Sequence, residues 1–266
     1  MIPRTRRRSP VHSPRAPRRS RLRDGPAAHA EAIAAQLHAA EEELADITAL
    51  RRGTVKFGTF PSAAAMLLPP VLKRLSETAP DLDVTFAELE PPDAVVALRE
   101  GELDLALVFR YPCSDIGDEG TLEWTSLMED RVMLVLPREH PRAEDPDLTL
   151  SDLANDPWIA GCERCRANLI SSARRAGFSP QVRHSTDDTI VVQQLIMHGG
   201  GVALMPETAL EAAPSADLVV RAIPGLDNRM IGLLNRRGAL AIPAVSALRD
   251  ALVAETTERL DTAVMI

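Results

Sequence analysis

A serine, a pair of cysteines and an arginine are the residues best placed to do chemistry in this chain. Ser62 follows Gly53-Thr-Val-Lys-Phe-Gly-Thr-Phe-Pro61. In that run Val55 and Phe57 alternate with Thr54 and Lys56, the period of a strand. Gly58 permits close backbone approach, and Pro61 is pre-set for a first helical turn. Ser62 then stands where the free N–H groups of a helix start point outward, a place that attracts anions and small polar ligands. No Gly-x-Ser-x-Gly elbow surrounds it, and the sequence places no His or Asp to activate it, so nucleophilic catalysis is not expected. Its alternative role is helix capping.

Cys162-Glu-Arg-Cys165 is a CxxC just after a strand and near a helix start. Such a setting lowers a thiol pKa and suits a redox switch, whereas packing is the plainer role. Half a zinc site would need a second pair, and Cys113 and His184 are the only stray candidates. Arg110 ends the apolar run Leu103–Phe109 and is either solvated or a bidentate partner for a ligand carboxylate. In His184-Ser-Thr-Asp-Asp188, Asp187 or Thr186 is predicted to cap the following helix. A His184–Asp188 acid–base pair would lack a nucleophile. Gly199-Gly-Gly201 follows a helix and lacks the Lys-Ser/Thr of a phosphate loop, so it predicts a helix C-cap.

The elements that must position these residues alternate from Gly53 onward. Strands are predicted at 54–59, 83–88 and 103–109, with helices at 62–78 and 92–100. This βαβαβ unit implies a parallel sheet with ligands beyond the carboxyl ends of its strands. Those ends carry Thr59, Phe60 and Ser62, then Glu88 and Glu90, then Arg110 and Tyr111. A strand at 131–136 opens a second αβ set: strands 157–160, 181–185, 201–205, 217–223 and 229–235, and helices 164–176, 187–198 and 207–212. A last helix runs from Pro243 to about Leu260. Two such halves predict two lobes and a cleft. Ahead of them, Ile33, Leu37, Ala40, Leu44 and Ile47 step by 4, 3, 4 and 3, a heptad seam that predicts a helix over 26–52, either dimerising or folded back on its own domain, with dimerisation favoured by the narrow stripe.

Composition narrows the classes. The chain has 266 residues, 45% of them hydrophobic, and a net charge of −8. Nine arginines and one acid give residues 1–25 a charge of +8, which leaves −16 for the rest. The four prolines of that tail break any helix, so a disordered segment is expected there. The acidic body does not favour nucleic acid by itself. Three cysteines are too few for a disulfide scaffold, and neither a membrane span nor a secretory signal is visible. A cytoplasmic location is expected, with no cofactor and no metal.

Four segments together resemble the effector-binding domain of LysR-type transcriptional regulators. They are residues 53–75, Leu103-Asp-Leu-Ala-Leu-Val108, Leu134-Val-Leu-Pro137 before His140-Pro141, and Gly199-Gly-Gly-Val-Ala-Leu-Met-Pro206. Their order and spacing carry the resemblance, which covers roughly 27–262. It implies an α/β fold of two periplasmic-binding-protein-like lobes after a linker helix, with no enzymatic activity. Lobe I would span about 53–130 and 236–266, and lobe II about 131–235. It implies a small-molecule effector held by Thr59, Phe60, Ser62, Arg110, Gly161, Cys162, Thr186, Asp187 and Met205. It also implies a homodimer or homotetramer that acts on DNA. Residues 1–25 have almost no apolar residues and cannot form the family's winged helix-turn-helix, so DNA contact is expected only where a longer chain or a partner supplies that module. A solute-binding protein of the same fold is the alternative.

Overall fold

The computed structural model describes residues 33–34, 36–38, 53–112 and 120–264. The tail 1–25, most of the expected linker helix and Cys113 lie outside them. Residues 33–34 and 36–38 are helical, and Ile33 and Leu37 are exposed.

The chain begins its first sheet with β1 (Thr54–Thr59). Two helices follow, α1 (Pro61–Met66) and α2 (Leu68–Thr78). The sequence pattern predicts one helix here. It divides because Pro69 and Pro70 have no N–H to donate, so the chain restarts a first turn at Leu68. Next come β2 (Asp83–Glu88), α3 (Pro91–Glu100) and β3 (Leu105–Arg110). Both β2 and β3 run parallel to β1. Gly58 lets β1 and β3 approach closely, since a Cβ there would lie 2.6 Å from a methyl of Leu103 and would push that side chain aside.

Then comes β4 (Leu122–Asp130), and the chain crosses at Arg131 into β5 (Val132–Pro137) of a second sheet. That sheet is completed by β6 (Pro157–Ala160), β7 (Gln181–Ser185), β8 (Val202–Pro206) and β9 (Leu218–Arg221). The helices between them are α4 (Glu163–Arg175), α5 (Thr189–Met197) and α6 (Glu207–Ala212). The return strand β10 (Arg229–Arg236) inserts antiparallel between β3 and β4, and α7 (Pro243–Val264) closes the chain. The strand orders are β2-β1-β3-β10-β4 and β7-β6-β8-β5-β9.

Strand β10 corrects the expected lobe boundary. Residues 229–235 belong to the first sheet, because β10 pairs with β3 and β4 and buries Ile231, Leu233 and Leu234 in the cores on that sheet's two faces. The two crossings lie side by side, with the backbone N–H of Val132 donating to Asn228 Oδ1 at 3.1 Å. Each lobe has its own core. Val55, Phe57, Leu105, Leu107 and Leu233 pack in the first, and Leu134, Leu136, Leu153 and Trp158 in the second. Burial on this scale contributes about 1.5–3 kcal/mol per large side chain. The glycine run ends α5 as expected, with Gly200 N–H donating to Leu195 C=O at 2.7 Å and Gly199 at a φ of 78°.

Candidate functional site

A cleft opens between the two sheets. Its first wall is built by the ends of β1 and β3 and the start of α1: Phe60, Pro61, Ser62 and Phe109. Phe60 and Phe109 meet edge to face, their centroids 4.9 Å apart. The second wall comes from β6, α4, α5, β8 and α6, with Gly161, Cys162, Cys165, Thr186, Asp187 and Thr189 at its polar side. Ile159, Val192, Met205 and Ala209 make its apolar floor.

Of the expected contacts, Phe60, Ser62, Gly161, Cys162, Thr186, Asp187 and Met205 line this cleft. Arg110 does not. Successive strand residues face opposite ways, so with Phe109 turned to the cleft Arg110 lies on the other face. Its guanidinium sits 4.6 Å from the centroid of Trp124. Thr59 is fully buried, with its hydroxyl turned to the Phe60 carbonyl at 3.4 Å, and it does not reach the cleft. The cap of α5 is also corrected. Asp188 Oδ1 accepts from the N–H groups of Ile190 and Val191 at 2.9 and 3.2 Å. That leaves Asp187 and Thr186 to the cleft.

The group at the centre of the cleft is one that the sequence pattern does not announce. Arg229, the first residue of β10, is only 3% exposed. Its Nε donates to Asp130 Oδ2 at 2.8 Å, and its Nη2 donates to Ser62 Oγ at 2.7 Å and to Thr208 Oγ1 at 3.1 Å. Phe60 and Phe109 flank the guanidinium at 4.8 and 4.5 Å. Thr208 in turn donates its backbone N–H and its hydroxyl to Asp130 at 3.1 and 2.8 Å. Burial opposes the charge of Arg229, but Asp130 beside it, with Tyr111 and Cys165, holds its pKa above the ordinary value. Since Ser62 accepts from Arg229, its own hydroxyl proton is left to donate.

Around this hub the titratable groups are displaced. Burial raises the Glu90 carboxyl pKa, a hydrogen bond from Cys162 pulls it back, and the charge of Asp187 raises it further. Its Oε2 is buried without a hydrogen-bond partner among the described residues. Cys162 caps α4, and its Sγ lies 3.1 Å from Cys165 Sγ. The S–H of Cys162, the Arg229 charge and the Tyr111 hydroxyl at 3.6 Å lower the Cys165 pKa to about 7 against the opposing effect of burial. The same contact and burial push Cys162 up. Burial raises the Tyr111 pKa too, followed by the neighbouring Cys165 charge. Among the described residues, no group of three or more His, Cys, Asp or Glu is placed to hold a metal ion.

Sequence reasoning missed Arg229, Asp130 and Thr208. Their partners are 21 to 167 residues apart along the chain, so no local spacing reports them. The one available signal was a charged residue at an end of each of two strands, Asp130 and Arg229.

Comparison with known proteins agrees with this architecture. A profile of the LysR substrate binding domain matches residues 48–257. The chain is 30% identical over 178 residues to the transcriptional dual regulator GltC of Bacillus subtilis, covering 66% of this chain and 58% of that protein. It is 30% identical over 155 residues to the HTH-type transcriptional regulator MetR of Salmonella typhimurium, covering 58% of this chain and 47% of MetR. It therefore spans about half the length of these relatives. Among solved structures, the C-terminal domain of a probable LysR family transcriptional regulator from Rhodococcus sp. RHA1 superposes with a TM-score of 0.64 at 24% identity, covering 75% of this chain and 98% of that one. The effector binding domain of QuiR in complex with shikimate gives a TM-score of 0.67 at 18% identity, over 78% and 98% of the two chains. With the profile matching well over half of its residues, the chain belongs to the LysR family and carries that family's substrate-binding domain.

Proposed function

We propose that this chain is the effector-sensing part of a LysR-family transcriptional regulator, and that a small polar molecule binds in the cleft without being transformed. The observation that carries this reading is the Arg229 hub. It presents a buried cation, a serine hydroxyl with a free proton and, nearby, the unpartnered Glu90 Oε2 on the walls of an open cleft. An effector with an acceptor at one end and a donor at the other would satisfy both. Binding regulates by the difference in its affinity for open and closed lobe arrangements.

The exposed Ile33 and Leu37 on their helical segment support a homodimer or homotetramer formed through that helix. DNA contact, made through a helix-turn-helix in a longer chain or a partner, is the means by which occupancy would alter transcription. A cytoplasmic site of action fits this role, and no helix among the described residues is long and apolar enough to cross a membrane.

The test is a thermal-shift screen of small polar metabolites against the chain, since a ligand at 100 times its Kd stabilises by about 2.7 kcal/mol. Calorimetry on a hit compares three proteins. Ser62→Ala is expected to weaken binding about fivefold or more, for one lost hydrogen bond of about 1 kcal/mol. Arg110→Ala is expected to leave the affinity unchanged. The opposite pattern, or turnover of the hit, refutes the proposal.

A further inference from the structure

The cysteine pair has a second capacity that does not depend on effector binding. Its two sulfurs stand 3.1 Å apart, both on the cleft wall, with Cys162 capping a 13-residue helix and Cys165 in its first turn. A disulfide needs them at about 2.05 Å, so little travel separates the reduced pair from a bond. The pair is also electrostatically prepared. Cys165 receives hydrogen bonds from the Cys162 thiol and the Tyr111 hydroxyl, and the Arg229 cation stands near it. The groups that oppose thiolate formation there are burial and the Glu90 carboxylate. A CxxC at a helix start, with a partly buried thiol on a cleft wall held low by a cation and two donors, is the environment of a reactive cysteine.

We infer that Cys162 and Cys165 form a reversible oxidation site, which a hydroperoxide entering the cleft converts to a disulfide. The Cys165 thiolate attacks the terminal oxygen of the peroxide. The S–O bond forms as the O–O bond breaks, and the leaving alkoxide takes a proton from water to depart as an alcohol. Cys162 sulfur then attacks the sulfenic sulfur of Cys165. The S–S bond forms, the S–O bond breaks, and hydroxide leaves with the Cys162 proton as water. The two thiols together lose two electrons and the peroxide gains them. The product would take from Cys165 the charge that Tyr111 and Arg229 face.

Arg164 lies between the two cysteines, so trypsin separates them and the bond can be read directly. The full chain is reduced with dithiothreitol, desalted, treated with equimolar tert-butyl hydroperoxide and digested without reductant. The expected product is peptide 143–164 joined to Cys165-Arg166, lighter than their sum by two hydrogens and released by dithiothreitol. In Cys162→Ser, dimedone is expected to trap a sulfenic acid on Cys165. In Cys165→Ser, Cys162 is expected to yield far less of that adduct. Absence of the linked peptide from the wild-type chain overturns the inference, as does linkage only through Cys113 or only between chains. Because the readout is the bond itself, it stands whether or not the cleft binds an effector.

Discussion

Replacing Arg229 with Met keeps most of the aliphatic length of the side chain and deletes its charge. The structure sets the scale of the loss. One charge-assisted bond to Asp130 at 2.8 Å disappears, together with two bonds to hydroxyls and the faces of two phenylalanines. Asp130, itself only 2% exposed, is left with Thr208 as its remaining donor. Removing one partner of a buried pair costs about 3–5 kcal/mol, because the other charge stays buried. The two Thr208 bonds place the expected cost near the lower end, about 3 kcal/mol. Arg110→Ala is the control, since it loses one exposed cation–ring contact of about 0.5–1 kcal/mol. Urea unfolding at neutral pH, followed by circular dichroism, measures both. The double variant Arg229→Met with Asp130→Leu is expected to be more stable than Arg229→Met alone, because it removes the stranded carboxylate. A cost for Arg229→Met below about 1 kcal/mol, or no greater than that of Arg110→Ala, would refute the reasoning.

Glu90→Gln tests the second displaced group. A carboxyl whose folded pKa is raised binds its proton more tightly in the fold, so its ionisation lowers stability as pH rises above the unfolded value near 4.5. The variant is expected to gain stability over wild type at pH 7 and to lose that gain by pH 4, read from paired urea curves. Asp188→Ala removes two cap bonds from α5 and is expected to cost about 1 kcal/mol, whereas Asp187→Ala, which caps nothing, is expected to leave the urea midpoint within experimental error.

Most of the architecture was legible because alternation and turn residues are local signals. Val55 and Phe57 announced β1, and Gly199 announced the end of α5. Strand β4 was not read. Its residues Leu-Glu-Trp-Thr-Ser-Leu-Met-Glu-Asp are half polar, and among the described residues it lies at the sheet edge with β10 as its single strand neighbour. Once β4 is missed, nothing in the sequence says that β10 belongs beside it, and so the lobe boundary was placed seven residues late. The site divided the same way. Ser62, Phe60 and Cys162 sit at strand-to-helix joins, where the fold rule points to ligands. The side to which Arg110 points depended on the register of β3, and the burial of Arg229 depended on partners that only the folded chain brings near.

The closeness of the two crossings has a consequence for how such a molecule can be rebuilt. Everything from Val132 to Arg221 leaves and re-enters the first lobe at one spot, where Val132 and Asn228 share a hydrogen bond. The second lobe is thus an insert with adjoining ends, the arrangement that tolerates grafting best. Exchanging that cassette would give the chain a different ligand wall and leave the first sheet intact, whereas cutting the chain anywhere before Arg236 would take the next-to-edge strand out of the sheet that hosts it.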